Sequence, residues 1–267
     1  SINEYPNLPE LPDSTGMVSS DTFATAVAQV AIAAGRDDSL PTLTGVHVEI
    51  NEDTVTFAAT DRYRLAVREI QWSPSAPNTS TTALLRARTI ADAAKSLTGS
   101  KDVSLSFAPN TSNDRLAGFA GDGKTMTSRM LDGTFPPYRH LLPQEVTTTA
   151  LIEVAALLDS VRRVALVTDK TVPLRLDFAN NTLSLEAGAG EEAQATEAID
   201  ILLTGEAISI AFNPTFLADG LNAVGTKFVQ ISFTGSNKPA ILMGKSDKDG
   251  ALVENYRYLL MPMRYAS

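Results

Sequence analysis

Four helix-length segments recur along the 267-residue chain at nearly even spacing, each trailed by short alternating runs, and this recurrence restricts the fold more than any other feature. The first helix is expected from Ser20 to about Ala34, where Phe23, Val27, Val30 and Ala34 share one face; Ser19, Ser20 and Asp21 supply capping oxygens and Gly35 stops it. The second runs from about Thr89 to Leu97, with Ile90, Ala93, Ala94 and Leu97 on one face and Gly99 beyond. The third spans about Ala150 to Ala165, with Leu151, Val154, Leu158, Val161 and Ala165 in register. The fourth opens at Asn213-Pro214, a capping residue followed by proline at the first helical position, continues through Phe216, Leu217, Leu221 and Val224, and ends at Gly225. The starts fall near residues 20, 89, 150 and 214, between 61 and 69 residues apart.

The intervening runs read apolar-polar-apolar, the mark of half-buried antiparallel strands: residues 46–50, 54–57, 103–107, 174–178, 182–185, 208–212 and 228–233. Asn51-Glu52-Asp53, Gly121-Asp122-Gly123 and Ala179-Asn180-Asn181 supply the turn chemistry. A helix-plus-strands unit of this length used four times predicts stacked copies of one motif. Two copies make a domain, two helices covering strands from both. The expectation is an α+β chain of two similar domains, 1–137 and 138–267, linked near Asp132-Gly133-Thr134-Phe135-Pro136-Pro137.

Composition narrows the chemistry. Net charge is −9, shared as −5 over residues 1–137 and −4 over the remainder, so bulk charge does not suggest nucleic-acid affinity. A basic surface would have to be local. There is no cysteine, which excludes disulfides and thiolate metal sites and fits a reducing compartment. The two histidines, His47 and His140, lack metal-ligand spacing, and no nucleophile elbow, zinc-protease, phosphate-loop or dinucleotide motif occurs. A hydrolase built on Asp61 and His140 would lack a third group and an oxyanion site. No metal, cofactor or catalytic residue is therefore expected. The start, SINEYPNLPELPDSTG, has neither the basic nor the apolar region of a signal peptide, and no run is long and apolar enough to span a membrane.

Three stretches go further: Ala58-Ala59-Thr60-Asp61-Arg62-Tyr63-Arg64-Leu65-Ala66-Val67, the segment Leu131 to Pro143 containing FPPYRHLLP, and the tail Tyr258-Leu259-Leu260-Met261-Pro262-Met263-Arg264. Ala33-Ala34-Gly35-Arg36-Asp37 and Phe212-Asn213-Pro214 support them. In this order and spacing they resemble the β subunit of bacterial DNA polymerase III, the replication sliding clamp. The resemblance covers essentially the whole chain and corresponds to the middle and C-terminal domains of that family, whose subunit has three such domains and whose homodimer closes a ring around duplex DNA. The proline-rich start resembles the link that follows the first domain, so the chain as given is expected not to close the usual ring.

The resemblance implies a DNA-clamp fold, a cytoplasmic, nucleoid-associated location and a pocket for short leucine- and phenylalanine-containing motifs of DNA polymerases and repair proteins, or for peptide inhibitors. Carried over position by position, the pocket comprises Leu43, Thr60, Arg62, Leu65, Pro136, His140, Leu141, Leu259 and Met261. Tyr63, Arg64, Pro262, Met263 and Arg264 form its rim, and Asn213 and Phe216 line a second part of the groove. Leucine and methionine walls suit varied apolar anchors because methionine adapts its shape. Arg64 and Arg264 would meet carboxylates of the partner. In isolation Leu43, Leu65 and Leu141 read as ordinary core. Arg62 stands where the family often has glycine, His140 where it often has arginine, and Phe216 where tyrosine is frequent, which puts the peptide preference in question. The resemblance further implies weak, sequence-independent contact of duplex DNA with helix-borne cations, here Arg36, Arg88, Lys95, Arg162 and Arg163. The alternative is a stand-alone clamp-like decoy that sequesters clamp partners or clamp-binding inhibitors.

Overall fold

Local capping and packing produce the four helices. The computed structural model describes residues 10–108, 115–143, 145–167, 172–188 and 194–265; the first nine residues and Ala266-Ser267 lie outside it. Helix α1 (Ser20–Ala31) is capped by Ser19, whose Oγ accepts the Thr22 N–H at 3.3 Å, and buries Phe23, Val27 and Val30. Its coil tightens at the end, where the N–H groups of Ala33 and Ala34 donate to Val30 and Ala31, so the expected length is used although the α-helix proper is shorter. Helix α2 (Ala87–Ser96) buries Ile90, Ala93 and Ala94, and α3 (Val154–Val164) buries Leu157, Leu158, Val161 and Val164. Helix α4 (Pro214–Val224) ends at Gly225 with φ 70°, the left-handed cap that glycine takes without strain.

The strands are β1 (Ser14–Ser19), β2 (Gly45–Asn51), β3 (Thr54–Thr60), β4 (Arg64–Gln71), β5 (Ser73–Pro74), β6 (Ser80–Arg86), β7 (Asp102–Phe107), β8 (Leu116–Gly121) and β9 (Lys124–Arg129). They continue as β10 (Thr148–Glu153), β11 (Leu174–Ala179), β12 (Thr182–Ala187), β13 (Ala195–Asp200), β14 (Leu202–Thr204), β15 (Ile208–Phe212), β16 (Phe228–Phe233), β17 (Ala240–Lys245) and β18 (Leu252–Leu260). The expected turns carry Glu52, Asp122, Asn180 and Asn181 at φ between 43° and 58°, conformations that short polar side chains tolerate.

Contacts divide the chain into two units, Ser1–Asp61 with Arg68–Phe135, and Arg62–Val67 with Pro136–Ser267. Each unit holds two β-α-β-β-β modules. A lead strand (β1, β6, β10 or β15) runs into the helix, and three antiparallel strands follow it. The lead strands are exchanged. In the first unit β1 pairs with β7 and β6 with β2; in the second β10 pairs with β16 and β15 with β11. Each module therefore closes the edge of its neighbour's sheet, which ties the two together with backbone hydrogen bonds. The helices pack in pairs, α1 on α2 and α3 on α4. Aromatic rings from both sheets meet in each core: Phe23 of α1 lies 6.2 Å from Phe57 and 5.8 Å from Phe119, while Phe178 and Phe233 lie 4.9 Å apart. The fold is α+β, as the four-fold recurrence predicts.

One expectation is corrected. The third helix begins at Val154, not Ala150; residues 148–153 are strand β10. Thr148, Ala150 and Ile152 are buried in alternation there, and the ladder to β16 fixes that period. The apolar residues of this stretch satisfy both a helical and a strand template, and a partner nearly 80 residues away decides between them.

Candidate functional site

The second unit gathers much of the expected peptide surface at the start of β4, the start of α4 and the end of β18. The turn before β4 needs a residue with positive φ, and Arg62 takes it at φ 80°. A position where the family often carries glycine is thus filled by an arginine in a glycine-favoured conformation, at a cost of about 1 kcal/mol. The turn aims Tyr63 outward, 59% exposed, while its carbonyl accepts the Met261 N–H at 2.9 Å. Met261, the first residue past β18, is 38% exposed.

Arg64 points the other way. It is only 5% exposed, its Nη1 donates to Asp219 Oδ2 at 2.6 Å, and its guanidinium carbon lies 4.2 Å from the centroid of the Phe216 ring. Tyr63 approaches the same ring at 6.4 Å and 30°. Phe216 is fixed from behind as well. The Asn213 Oδ1 accepts the N–H groups of Thr215 (2.9 Å) and Phe216 (3.2 Å), and the buried Tyr258 hydroxyl donates to the Phe216 carbonyl at 2.8 Å. The Tyr258 ring lies so close to α4 that only glycine fits at position 220, where a Cβ would come 2.5 Å from Cε1.

The tail continues as an added strap. The Met263 N–H donates to the Ala211 carbonyl of β15 at 2.8 Å, the Tyr265 hydroxyl shares a 2.8 Å hydrogen bond with Ser209 Oγ, and the Arg175 guanidinium lies 5.4 Å from the Tyr265 ring. Pro262 and Met263 are half-buried and Arg264 is exposed. Arg175 also pairs with Asp177 at 3.0 Å, so the strap rests on an ion-paired patch.

The remaining expected residues differ in what they offer. Leu65 and Leu259 are nearly fully buried. Leu43 and Thr60 belong to the first unit and are buried there, Leu43 in the turn Pro41–Thr44 where its carbonyl accepts the Gly35 N–H at 2.7 Å. Pro136 is half-buried, and His140 and Leu141 are exposed in the short 3-10 turn Arg139–Leu141. Of the expected DNA-contacting cations, Arg36, Arg88 and Lys95 are exposed, the last two on α2. Arg162 lies 3.8 Å from Asp159. Arg163 is committed to Glu197 through Nε at 2.6 Å and Nη2 at 2.8 Å. The Arg163 hydrogen bond, aided by one from Ser160 and opposed by partial burial, lowers the Glu197 pKa from 4.5 to about 2. Among the described residues no cluster of three or more His, Cys, Asp or Glu could hold a metal, and no helix is long and apolar enough to cross a membrane.

Sequence reasoning missed Asp219, Gly220, Tyr258 and the Tyr265 strap. Arg64 and Asp219 are 155 residues apart, so no local pattern links them. Gly220 alone left a trace, a glycine inside a helical pattern, which signals close packing.

Paired β-α-β-β-β modules with exchanged lead strands and helices packed in twos define the class, a DNA-clamp fold of antiparallel sheets and helices. Residues 17–137 match the family described as DNA polymerase III beta subunit, central domain, and residues 139–264 its C-terminal domain. The beta sliding clamp of Streptomyces coelicolor is 50% identical over 98% of this chain and 70% of its own length. The beta sliding clamp homolog GriR of Streptomyces muensis is 42% identical over 99% of this chain and 70% of its own. In structure, a DNA polymerase III subunit beta from Pseudomonas aeruginosa bound to griselimycin superposes with a TM-score of 0.87 at 23% identity, over 98% of this chain and 69% of that one. The chain belongs to the bacterial DNA polymerase III β-subunit family, the beta sliding clamps, and spans about 70% of these relatives' length.

Proposed function

We propose that the chain is the part of a non-catalytic processivity clamp that captures short leucine- and phenylalanine-containing motifs of DNA polymerases and repair proteins. Its working domains are 1–137 and 138–267. The observation that carries this reading is the pair Tyr63 and Met261, two large apolar side chains left exposed yet locked together through a 2.9 Å backbone hydrogen bond. Exposed apolar side chains held in a fixed frame are what a docking surface needs, because little ordering remains to be done on binding. Phe216 and Leu141 extend the apolar area. Leu65 and Leu259, nearly buried in the second unit, act as supporting floor rather than as first contact. Arg264, Pro262, Met263, Arg62, Pro136, His140 and Asn213 complete the set.

Burying one leucine and one aromatic anchor yields a few kcal/mol at about 25 cal/mol per Å². Peptide ordering cancels part of that, so micromolar affinity is expected, suited to partners that exchange. In the full-length homodimeric ring the exposed Arg36, Arg88, Lys95 and Arg162 would touch the phosphates of encircled duplex DNA, at the cytoplasmic site of replication. The same apolar surface would take peptide inhibitors, a reading supported by the fold match to a clamp bound to griselimycin.

The test is a titration of a fluorescent peptide carrying one leucine and one phenylalanine. Saturable micromolar binding is expected, weakened about fivefold by Met261→Ala, the equivalent of about 1 kcal/mol of lost apolar contact. Binding that Met261→Ala leaves unchanged would sink the assignment.

A further inference from the structure

We propose that Asp219 is the positioning residue of this peptide surface, holding Arg64 flat against Phe216 so that the arginine serves as an aromatic-stacking wall and not as a receptor for partner carboxylates. The inference rests on the peptide-binding reading above and deepens it by fixing which chemistry the partner must bring.

Arg64 looks, from its place beside Tyr63, like a rim cation ready for an acidic partner. Its surroundings contradict that use. The side chain is 5% exposed and the charge is already matched at 2.6 Å by Asp219, one turn beyond Phe216 on α4. A buried guanidinium whose charge is paired gains little from a second, solvated carboxylate and would have to give up the first. What Arg64 does offer is its guanidinium over the Phe216 ring, with the central carbon 4.2 Å from the ring centroid, a buttress for the ring. Phe216 is already held at its backbone by Asn213 and Tyr258, and the guanidinium, together with the Tyr63 ring, constrains the side chain itself. Asp219 is 36% exposed, and its carboxylate bonds Arg64. The partner chemistry that follows is an apolar, flat or branched side chain laid against Tyr63 and Phe216, with any preference for acidic residues coming from cations other than Arg64.

The experiment compares two labelled peptides that share the leucine and phenylalanine and differ only in a flanking Asp or Asn. Dissociation constants are read by fluorescence anisotropy for the wild type, Asp219→Asn and Asp219→Glu, with folding checked by circular dichroism. Asp219→Asn should weaken the neutral peptide about fivefold and shift the ratio of acidic to neutral affinity at least about threefold toward the acidic peptide, because Arg64 then loses the carboxylate bonded at 2.6 Å. Asp219→Glu, which keeps the anion, should restore the wild-type ratio. Unchanged affinity in Asp219→Asn, or an equal loss for both peptides, overturns the proposal. If Asp219→Asn does not fold, Arg64→Lys decides: it keeps the ion pair but loses the plane, so it should weaken both peptides alike, and wild-type affinity would overturn the proposal. Failure of the wild type to bind either peptide would instead remove the peptide-binding reading beneath it.

Discussion

Replacing Gly220 by alanine sets two effects of known size against each other. Alanine in a helix interior is favoured over glycine by about 1 kcal/mol. The added Cβ, however, would sit 2.5 Å from Tyr258 Cε1 and 2.6 Å from Cδ1, more than 1 Å inside ordinary contact. The ring has nowhere to retreat: Tyr258 is fully buried and its hydroxyl is bonded to the Phe216 carbonyl. Overpacking of this kind costs about 1–3 kcal/mol, and losing the hydroxyl bond adds about 1 kcal/mol. The net expectation is a destabilisation of about 2 kcal/mol, a fall in Tm of about 6 °C for a domain of this size. Differential scanning calorimetry reads it directly. Because α4 also carries Phe216, peptide affinity should fall in parallel. A Tm at or above that of the wild type would refute the reasoning, since it would mean that Tyr258 is free to move and that helix propensity decides.

Asn213→Ala should cost about 1 kcal/mol by freeing the Thr215 and Phe216 N–H groups, seen as a lower denaturant midpoint, while Asn213→Asp should retain most of the stability. The Glu197 carboxylate, held at a pKa of about 2, contributes stability that is fully present above its ordinary value of 4.5 and is lost as pH falls toward 2. The Tm difference between wild type and Glu197→Gln should therefore be constant at neutral pH and shrink steadily between those limits; it should be small throughout, because solvent screens the pair.

The repeat was legible because helix and strand periods are local. Phe23, Val27 and Val30 form a stripe within three turns, and Leu174-Arg175-Leu176-Asp177-Phe178 alternates within five residues. Except for β15, whose alternation is local, the lead strands were not legible for the opposite reason. Ser14–Ser19 is mostly small and polar, and it becomes a strand because Val103 and its neighbours in β7 offer a ladder some 85 residues away. Residues 148–153 satisfied two periods at once, and only the distant β16 chose. The same divide runs through the site. Tyr63 and Met261 stand in contiguous motifs and could be found from them. That Arg64 turns inward to Asp219 depends on α4, whose placement is a property of the packed unit. Leu65 and Leu259, which read from the motifs as pocket wall, are spent on the core, because strands that neighbour each other in a sheet bury their inward side chains whatever motif they carry.

The most direct test of the account is to map, by amide chemical shifts, where a leucine- and phenylalanine-containing peptide binds the isotope-labelled chain. The account predicts saturating shifts concentrated at residues 62–64, 213–217 and 261–264. Shifts that cluster elsewhere, for example along β9 or α3, or none at peptide concentrations well above micromolar, would contradict it.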